Sequence, residues 1–385
     1  MDMNPLFKFM ADKKASDLFF SAGAPIHIKI EGELQPINRQ VLDAKAAEQA
    51  AYSLMTDDQI EEFRNTMEMN FGLSVKNVGR FRINVFRQRG SVAMVIRFIN
   101  NTIPSMESLG LPDVLRQLAV EKRGLVLVVG ATGSGKSTTL AAMIDFRNGS
   151  KAGHILSVED PIEFMHKHKK SIVNQREVGV DTESYGNALM NAMREAPDVL
   201  LIGEIRDMET MKQALIYTQT GHLCMATLHA NNAYHALTRV ISMFPMETRE
   251  HLLHDLSASL KAVISQRLVK GVDGKRVPAV EVLVNSLYVS ELVQKQQIDA
   301  IKEAMEQSMT DGSQTFEQAL FHLYQSGRVS LEEALHNADS RNNLEWLIKN
   351  STKEKYRETG ARVPGSAPRA PGDFGDITIM PEMLD

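Results

Sequence analysis

The densest chemistry lies in Gly130-Ala131-Thr132-Gly133-Ser134-Gly135-Lys136-Ser137-Thr138, which has the spacing G-x-x-x-x-G-K-[ST]. Gly130, Gly133 and Gly135 let the backbone wrap a phosphate without side-chain clash. The N–H groups of Ala131, Thr132, Ser134 and Thr138 lie in the loop and helix start that converge on it. Lys136 supplies a point charge for the β- and γ-phosphates, and the Ser137 hydroxyl is placed to hold Mg²⁺. The expected ligand is therefore a nucleotide with Mg²⁺. In Asp198-Val199-Leu200-Leu201-Ile202-Gly203-Glu204, four apolar residues deliver an acid to the end of a strand. Glu204 is the expected metal-side acid of such a site, reaching Mg²⁺ directly or through water.

A second acidic cluster, Glu159-Asp160-Pro161-Ile162-Glu163, follows a short apolar run. Carboxylates crowded near phosphate make chemical sense when Mg²⁺ offsets their charge or one of them activates water. The third cluster is Thr220-Gly221-His222-Leu223-Cys224-Met225-Ala226-Thr227-Leu228-His229-Ala230-Asn231-Asn232. His222 and His229 flank a buried strand and fall near its two ends. Thr227 and His229 are placed to sense a γ-phosphate, whereas a structural role competes strongly for His222. With a single cysteine, Cys224, neither an internal disulfide nor a paired-CxxC zinc site can form. His166-Lys167-His168-Lys169-Lys170 lacks interleaved aromatics and is expected to be a solvated loop rather than a nucleic-acid patch.

These motifs need strands and helices to hold them. Leu125–Val129 reads as a buried parallel strand and 137–148 as the helix after the glycine loop. Further strands are expected at Ile155–Val158, Val199–Ile202, Leu223–Leu228 and Val277–Val284. Helices are expected at 113–122, 184–195, 208–219 and 233–242. That alternation predicts a mostly parallel sheet covered on both faces. Residues 1–100 read as a separate α+β domain, with helices at 4–14 and 42–63. In Gly79-Arg80-Phe81-Arg82-Ile83-Asn84-Val85-Phe86, period-two alternation puts Phe81, Ile83 and Val85 on one face, and a second strand, Val92–Ile99, carries Arg97. Residues 101–112 have linker composition. The α/β core spans 113–286, and helices are expected at 287–308, 315–326, 330–336 and 340–349. A Pro/Gly/Ala-rich tail over 351–385 is expected to be disordered, with Phe374, Ile377, Ile379, Met380 and Met383 as a weaker candidate docking segment.

The composition of the 385 residues is that of a soluble globular protein, with 43% hydrophobic and 24% charged residues and a formal net charge of −5. No global basic field draws it to nucleic acid. A cytoplasmic location is expected, since no secretory signal or membrane span is legible.

Taken together, Ala15-Ser16-Asp17-Leu18, Gly79-Arg80-Phe81-Arg82, the glycine loop, Glu159-Asp160-Pro161-Ile162-Glu163, Val173-Asn174-Gln175-Arg176-Glu177-Val178, Asp198–Asp207, Thr220–Asn232 and Gln314-Thr315-Phe316 resemble the type IV pilus retraction ATPases of the secretion-ATPase superfamily, the PilT/PilU family. The resemblance covers about residues 1–350. It implies a PAS-like N-terminal α+β domain on a RecA-like P-loop core with C-terminal helices, assembled as a hexameric ring with ATP and Mg²⁺ bound at the domain junction. It implies Glu163 as activator of the attacking water, with Glu159 and Asp160 in support, and Glu204 and His229 beside the phosphates. Arginines of the N-terminal domain, Arg80 or Arg82 and Arg97, would complete the site, and Arg194, Arg206 and Arg239 match arginines near the nucleotide or the subunit interface. The implied partners are a PilT-type ATPase and a PilC-type platform protein of the inner membrane, with membrane contact only through partners. PilT carries an arginine-bearing retraction segment where this chain has Tyr288-Val289-Ser290-Glu291-Leu292-Val293-Gln294-Lys295, without either arginine, which favours the PilU branch. A related secretion or conjugation ATPase and a nucleic-acid translocase are the alternative readings.

Overall fold

The computed structural model describes residues 2–30, 32–99, 102–307 and 311–359. Two β-sheets organise the chain. The first contains β1 (Asp17–Phe20), β2 (Pro25–Ile30), β3 (Glu33–Val41), β4 (Glu68–Val75), β5 (Gly79–Gln88) and β6 (Ser91–Ile99), in the order β3-β2-β1-β6-β5-β4. Every pairing in it is antiparallel. The alternation along β5 decides its faces: Phe81, Ile83 and Val85 are fully buried, while Arg80, Arg82 and Asn84 lie on the other side. Phe7, from the helix Asn4–Asp12, packs on Phe81 with ring centroids 4.4 Å apart. The single helix expected over 42–63 is two, Ala44–Tyr52 and Asp57–Thr66. Thr56 and Gln59 form a capping box that starts the second helix and so ends any continuous one.

The second sheet contains β7 (Gly124–Val129), β8 (Gly153–Glu159), β9 (Ser171–Glu177), β10 (Val199–Ile202), β11 (Leu223–Leu228), β12 (Leu260–Lys270) and β13 (Arg276–Val284). Its order is β13-β12-β7-β11-β10-β8-β9. Six strands run parallel and only β13 opposes its neighbour. Parallel neighbours need crossover connections, and helices supply them. Leu125, Leu127 and Val129 face one apolar layer, which is built with the helices Met208–Gln219, Ala233–Ser242 and Arg249–Ser259. Val126 and Val128 face the other, built with the helix Lys136–Ser150. The runs in β7, β10 and β11 are buried along their whole length, which is why they read as continuous rather than alternating.

β9 and β12 are not predicted from the sequence. β9 is an edge strand with only two large apolar residues. β12 follows directly from the helix Arg249–Ser259 with no glycine or proline between them. Within the expected linker, Met106–Leu109 forms a short helix, and Met106 and Leu111 are buried in the core. The helix expected over 287–308 is broken into Leu287–Gln294 and Ala300–Glu306, with Gln296 in the left-handed region at φ 57°. Phe316–Gln325, capped by a Thr315/Gln318 box, packs Phe316 and Leu320 against Val269 and Val277. The last helix, Arg341–Thr359, runs through the first nine positions of the expected disordered tail. Residues 360–385, with the candidate docking segment, lie outside the described residues.

Candidate active site

β7 ends at Val129 and hands the chain to the glycine loop. A side chain at Gly130 would place its Cβ 2.6 Å from the Gln266 carbonyl oxygen, so only glycine lets the loop pass so close to β12. Gly133 and Gly135 sit at φ 77° and 87°, a region other residues enter at a cost, and Gly135 caps the helix Lys136–Ser150. The Lys136 ammonium donates to the carbonyl oxygens of Gly130 and Ala131, each at 2.9 Å. Burial lowers its pKa, and the nearby carboxylates of Glu204 and Glu163 oppose that shift. The buried Ser134 hydroxyl has no partner among the described residues.

Gln266, in the unpredicted strand β12, ties the loop down. Its amide nitrogen donates to Ser134 O at 2.8 Å, and its amide oxygen accepts from the Thr139 hydroxyl at 2.6 Å.

The opposite wall comes from the C-terminal ends of β8, β10 and β11. After β8 the chain turns through a cis Asp160–Pro161 bond and presents the exposed Glu163. Burial pushes the Glu159 carboxyl up to about 7, against hydrogen bonds from Ser157 Oγ (2.8 Å) and Gln175 Nε2 (3.2 Å). Gln175, from β9, also donates to Phe164 O at 2.9 Å and accepts from the His166 N–H at 2.8 Å, so one side chain holds the loop at three points. At the end of β10, Glu204 accepts from Arg206 Nε at 2.7 Å and meets His229 Nε2 at 3.0 Å. Arg206 reaches Asp160 at 3.3 Å, and the bond to Glu204 is the main cause raising its pKa. Thr227, at the end of β11, donates to Gly203 O at 2.5 Å. A Cβ on Gly203 would lie 2.9 Å from the Tyr185 hydroxyl and 3.0 Å from Glu159 Cα.

Between these walls lies a cavity of about 440 Å³. Thr132, Gly133, Gly135, Lys136, Ser137 and Thr138 line one side, and Glu159, Asp160, Glu163, Glu204, Thr227 and His229 line the other. Tyr185 and His166 also line it. His166 departs from the expected solvated loop: it is half-buried, its Nδ1 is unpartnered, and burial pushes its imidazole down to about 4. His222 is not brought to the cavity. It precedes β11 at the strand's far end, hydrogen-bonds Thr220 and packs on Tyr217, which is the structural role. Arg194 is exposed beside Asn191, and Arg239 donates to His229 O at 3.0 Å from a neighbouring hollow.

None of the N-terminal arginines lines the cavity. Arg97 pairs with Asp17 at 2.8 Å, Arg82 lies opposite Arg97 across β5 and β6, and Arg80 pairs with Glu177 at 2.6 Å. Below the cavity, the buried Glu281 accepts from Ser265 Oγ (2.9 Å) and from Ala233 N–H (2.7 Å), fixing the start of the helix after His229. Burial pushes its carboxyl up to about 7.

The model of the type II/IV secretion system protein family matches residues 2–366. The chain belongs to that family. Among its relatives, the type IV pilus ATPase PilU of Pseudomonas aeruginosa is 46% identical over 350 residues, 91% of this chain and 92% of PilU. The type IV pilus retraction ATPase PilT of the same organism is 41% identical, over 88% of this chain and 98% of PilT. The crystal structure of the pilus retraction motor PilT with bound ADP is 40% identical and superposes with a TM-score of 0.84, covering 90% of this chain and 99% of that one. The ATPase DotB of Legionella pneumophila, 24% identical with a TM-score of 0.76, shares the fold. The fold is a RecA-like P-loop core carrying a PAS-like N-terminal domain and C-terminal helices, and the chain is a member of the PilT/PilU group of secretion-superfamily ATPases.

Proposed function

We propose that this chain is the Mg²⁺-dependent ATP-hydrolysing subunit of a type IV pilus motor. On this reading it powers pilin disassembly, and so twitching motility, alongside a PilT-type partner. The observation that carries the proposal is the cavity itself, with a phosphate-binding loop on one wall and Glu163, Glu204 and His229 on the wall facing it. The likeness to PilU, and to a PilT structure holding ADP, supports the same reading.

Lys136 would exchange its two loop carbonyls for β- and γ-phosphate oxygens, so the loop is pre-shaped and the lysine is already in place. Glu163 takes the proton of the attacking water as its oxygen bonds to the γ-phosphorus and the bond to the ADP oxygen breaks. Glu159, held near neutral pKa, and Asp160 shape that loop. Ser137 and Glu204 both line the cavity, and as hard-oxygen donors they would hold Mg²⁺ there. When bound, the ion offsets the phosphate charge. Among the described residues no group of three or more His, Cys, Asp or Glu could hold a metal ion by itself. Arg206 and His229 hold the Glu204 carboxylate in position.

Arg82 and Arg97 face each other across two strands, an arrangement that like charge disfavours. Asp17 offsets part of it through Arg97 at 2.8 Å, and an anionic ligand beside Arg82 would relieve the rest. Set against the cavity of the next subunit in a hexameric ring, the two arginines would stabilise the charge spread over the transferring phosphoryl group. Arg194 and Arg239 would lie towards that interface. A cytoplasmic ring of residues 1–100 and 113–286, docked on a PilC-type platform protein, needs no membrane segment of its own. No helix among the described residues is long and apolar enough to cross a membrane.

The test is steady-state ATPase activity with and without Mg²⁺, measured beside assembly size by light scattering, for the chain alone and mixed with its PilT-type partner. Mg²⁺-dependent turnover by a ring is expected. A monomer without turnover under every condition would overturn the proposal.

A further inference from the structure

Glu177 closes β9, level with Glu159 at the end of β8, and only 4% of its surface is exposed. One oxygen of its carboxylate serves two partners. It accepts from the Ile162 N–H at 3.2 Å and from an Arg80 guanidinium nitrogen at 2.6 Å. Ile162 is the residue before Glu163 in the loop that lines the cavity. Arg80 belongs to β5 of the N-terminal sheet, ninety-seven residues away in sequence. The Arg80 side chain is 14% exposed, and its buried Nε has no partner among the described residues. Gly72, on the neighbouring strand β4, leaves room for the pair: a Cβ there would lie 2.6 Å from Arg80 and 3.1 Å from Glu177. The far side of Glu177 is fixed as well, since its own N–H donates to Asp181 at 2.9 Å.

We infer that Glu177 is a positioning residue: with Arg80 it forms a latch within one chain that makes the pose of Glu163 depend on where the N-terminal sheet sits. The inference rests on the ATPase reading of the cavity. The chemistry follows from burial. A carboxylate this enclosed needs its cation, because removing one partner of a buried charge pair strands the other. If the N-terminal sheet swings away, Arg80 leaves with it. Glu177 must then find other partners, and the Ile162 amide, bound to the same oxygen, is released or shifted. Glu163 moves with its neighbour. A rigid-body motion of the N-terminal domain thus reaches the water-activating loop through two contacts, without any N-terminal residue entering the cavity. The latch also separates the arginines by role. Arg80 is engaged with the core sheet of its own chain, whereas Arg97 pairs with Asp17 inside the N-terminal sheet, which leaves Arg82 as the arginine to face another nucleotide, with Arg97 beside it.

Arg80→Gln, Glu177→Gln and the double variant, made in the full chain, test the latch by two readouts: hydrogen exchange over residues 159–166 and steady-state ATP kinetics. Glutamine at 177 keeps an oxygen for the Ile162 N–H and removes the ion pair. Arg80→Gln, a change in the other sheet, should speed exchange over 159–166 about tenfold. It should also lower kcat about tenfold with KM for ATP within about twofold. Glu177→Gln should match it, and the double variant should be no worse than either single. Unchanged exchange over 159–166 in Arg80→Gln would overturn the latch, as would single effects that multiply in the double variant. A KM change as large as the kcat change would also overturn it, by making Arg80 a nucleotide ligand. If the wild-type chain shows no turnover, the ATPase reading falls while the exchange readout still decides the latch.

Discussion

In the core sheet, Lys136, Glu163, Glu204 and His229 all leave the C-terminal ends of parallel strands or their following turns and meet in one cavity. In the N-terminal sheet, Arg80, Arg82 and Arg97 stand on antiparallel strands and none reaches that cavity. On the proposed reading, the two sheets hold different halves of one chemistry. A parallel sheet converges its strand ends, so a single chain can gather phosphate loop, acids and histidine by topology alone. An antiparallel sheet spreads its side chains over a face, where they act on whatever that face meets. On that reading the core alone suffices to bind the nucleotide. Catalysis on this account needs the other face brought to it.

The sharpest break between the halves should come from Lys136→Ala. It removes the charge proposed to hold the β- and γ-phosphates, and fluorescent-nucleotide titration should find ATP binding reduced beyond measurement. Binding within a few-fold of wild type would remove the glycine loop from the account. Glu163→Gln should keep ATP binding and lower turnover by about 10³-fold. Turnover near normal would move proton abstraction to another carboxylate. Arg82→Ala, on the other sheet, should lower kcat about 10²-fold and leave nucleotide affinity nearly unchanged, the mark of a group that acts only as charge develops. An equal loss of affinity would place Arg82 in the ground-state site instead.

The smallest expected effect lies in the core. Glu281 has its pKa raised by burial, so the folded state stays protonated where the unfolded chain has ionised. Its contribution to stability is full below the ordinary carboxylate pKa and is lost as pH rises towards 7. Glu281→Gln should therefore raise the apparent melting temperature by about 2–4 °C at pH 8 and leave it nearly unchanged at pH 5. An equal effect at both pH values would mean the carboxyl is not neutral in the fold.

The sequence was informative where one residue type does one job at fixed spacing. Gly130 to Thr138, Glu204 and Glu163 are local patterns, and each lines the cavity except Gly130, Ala131 and Ser134, which shape the loop behind it. Buried parallel strands such as β7 and β11 are equally plain, because both faces are covered and the apolar run is unbroken. What could not be read acts over distance. Gln266 holds Ser134 and Thr139 from more than a hundred residues away, on a strand whose start has no turn residue to mark it. Gln175 and Glu177 sit on an edge strand too polar to announce itself, and both take their meaning from the loop between β8 and β9. The match of Arg80 to the family's arginines gave no sign that its guanidinium is tied within its own chain. That needed the two sheets side by side.

The most direct test of the central claim, that the core of one chain is completed by the N-terminal face of another, is a mixing experiment. Arg82→Ala and Glu163→Gln chains are each nearly inactive alone. They are unfolded and reassembled together in equal amounts, and ATP turnover is then measured. If the arginine acts across the subunit boundary, sites pairing an intact Glu163 with a neighbour's intact Arg82 form at random, and activity should return to about a quarter of wild type. A mixture no more active than its two components would mean the arginine and the base must lie in the same chain, and the account of a divided site would be wrong.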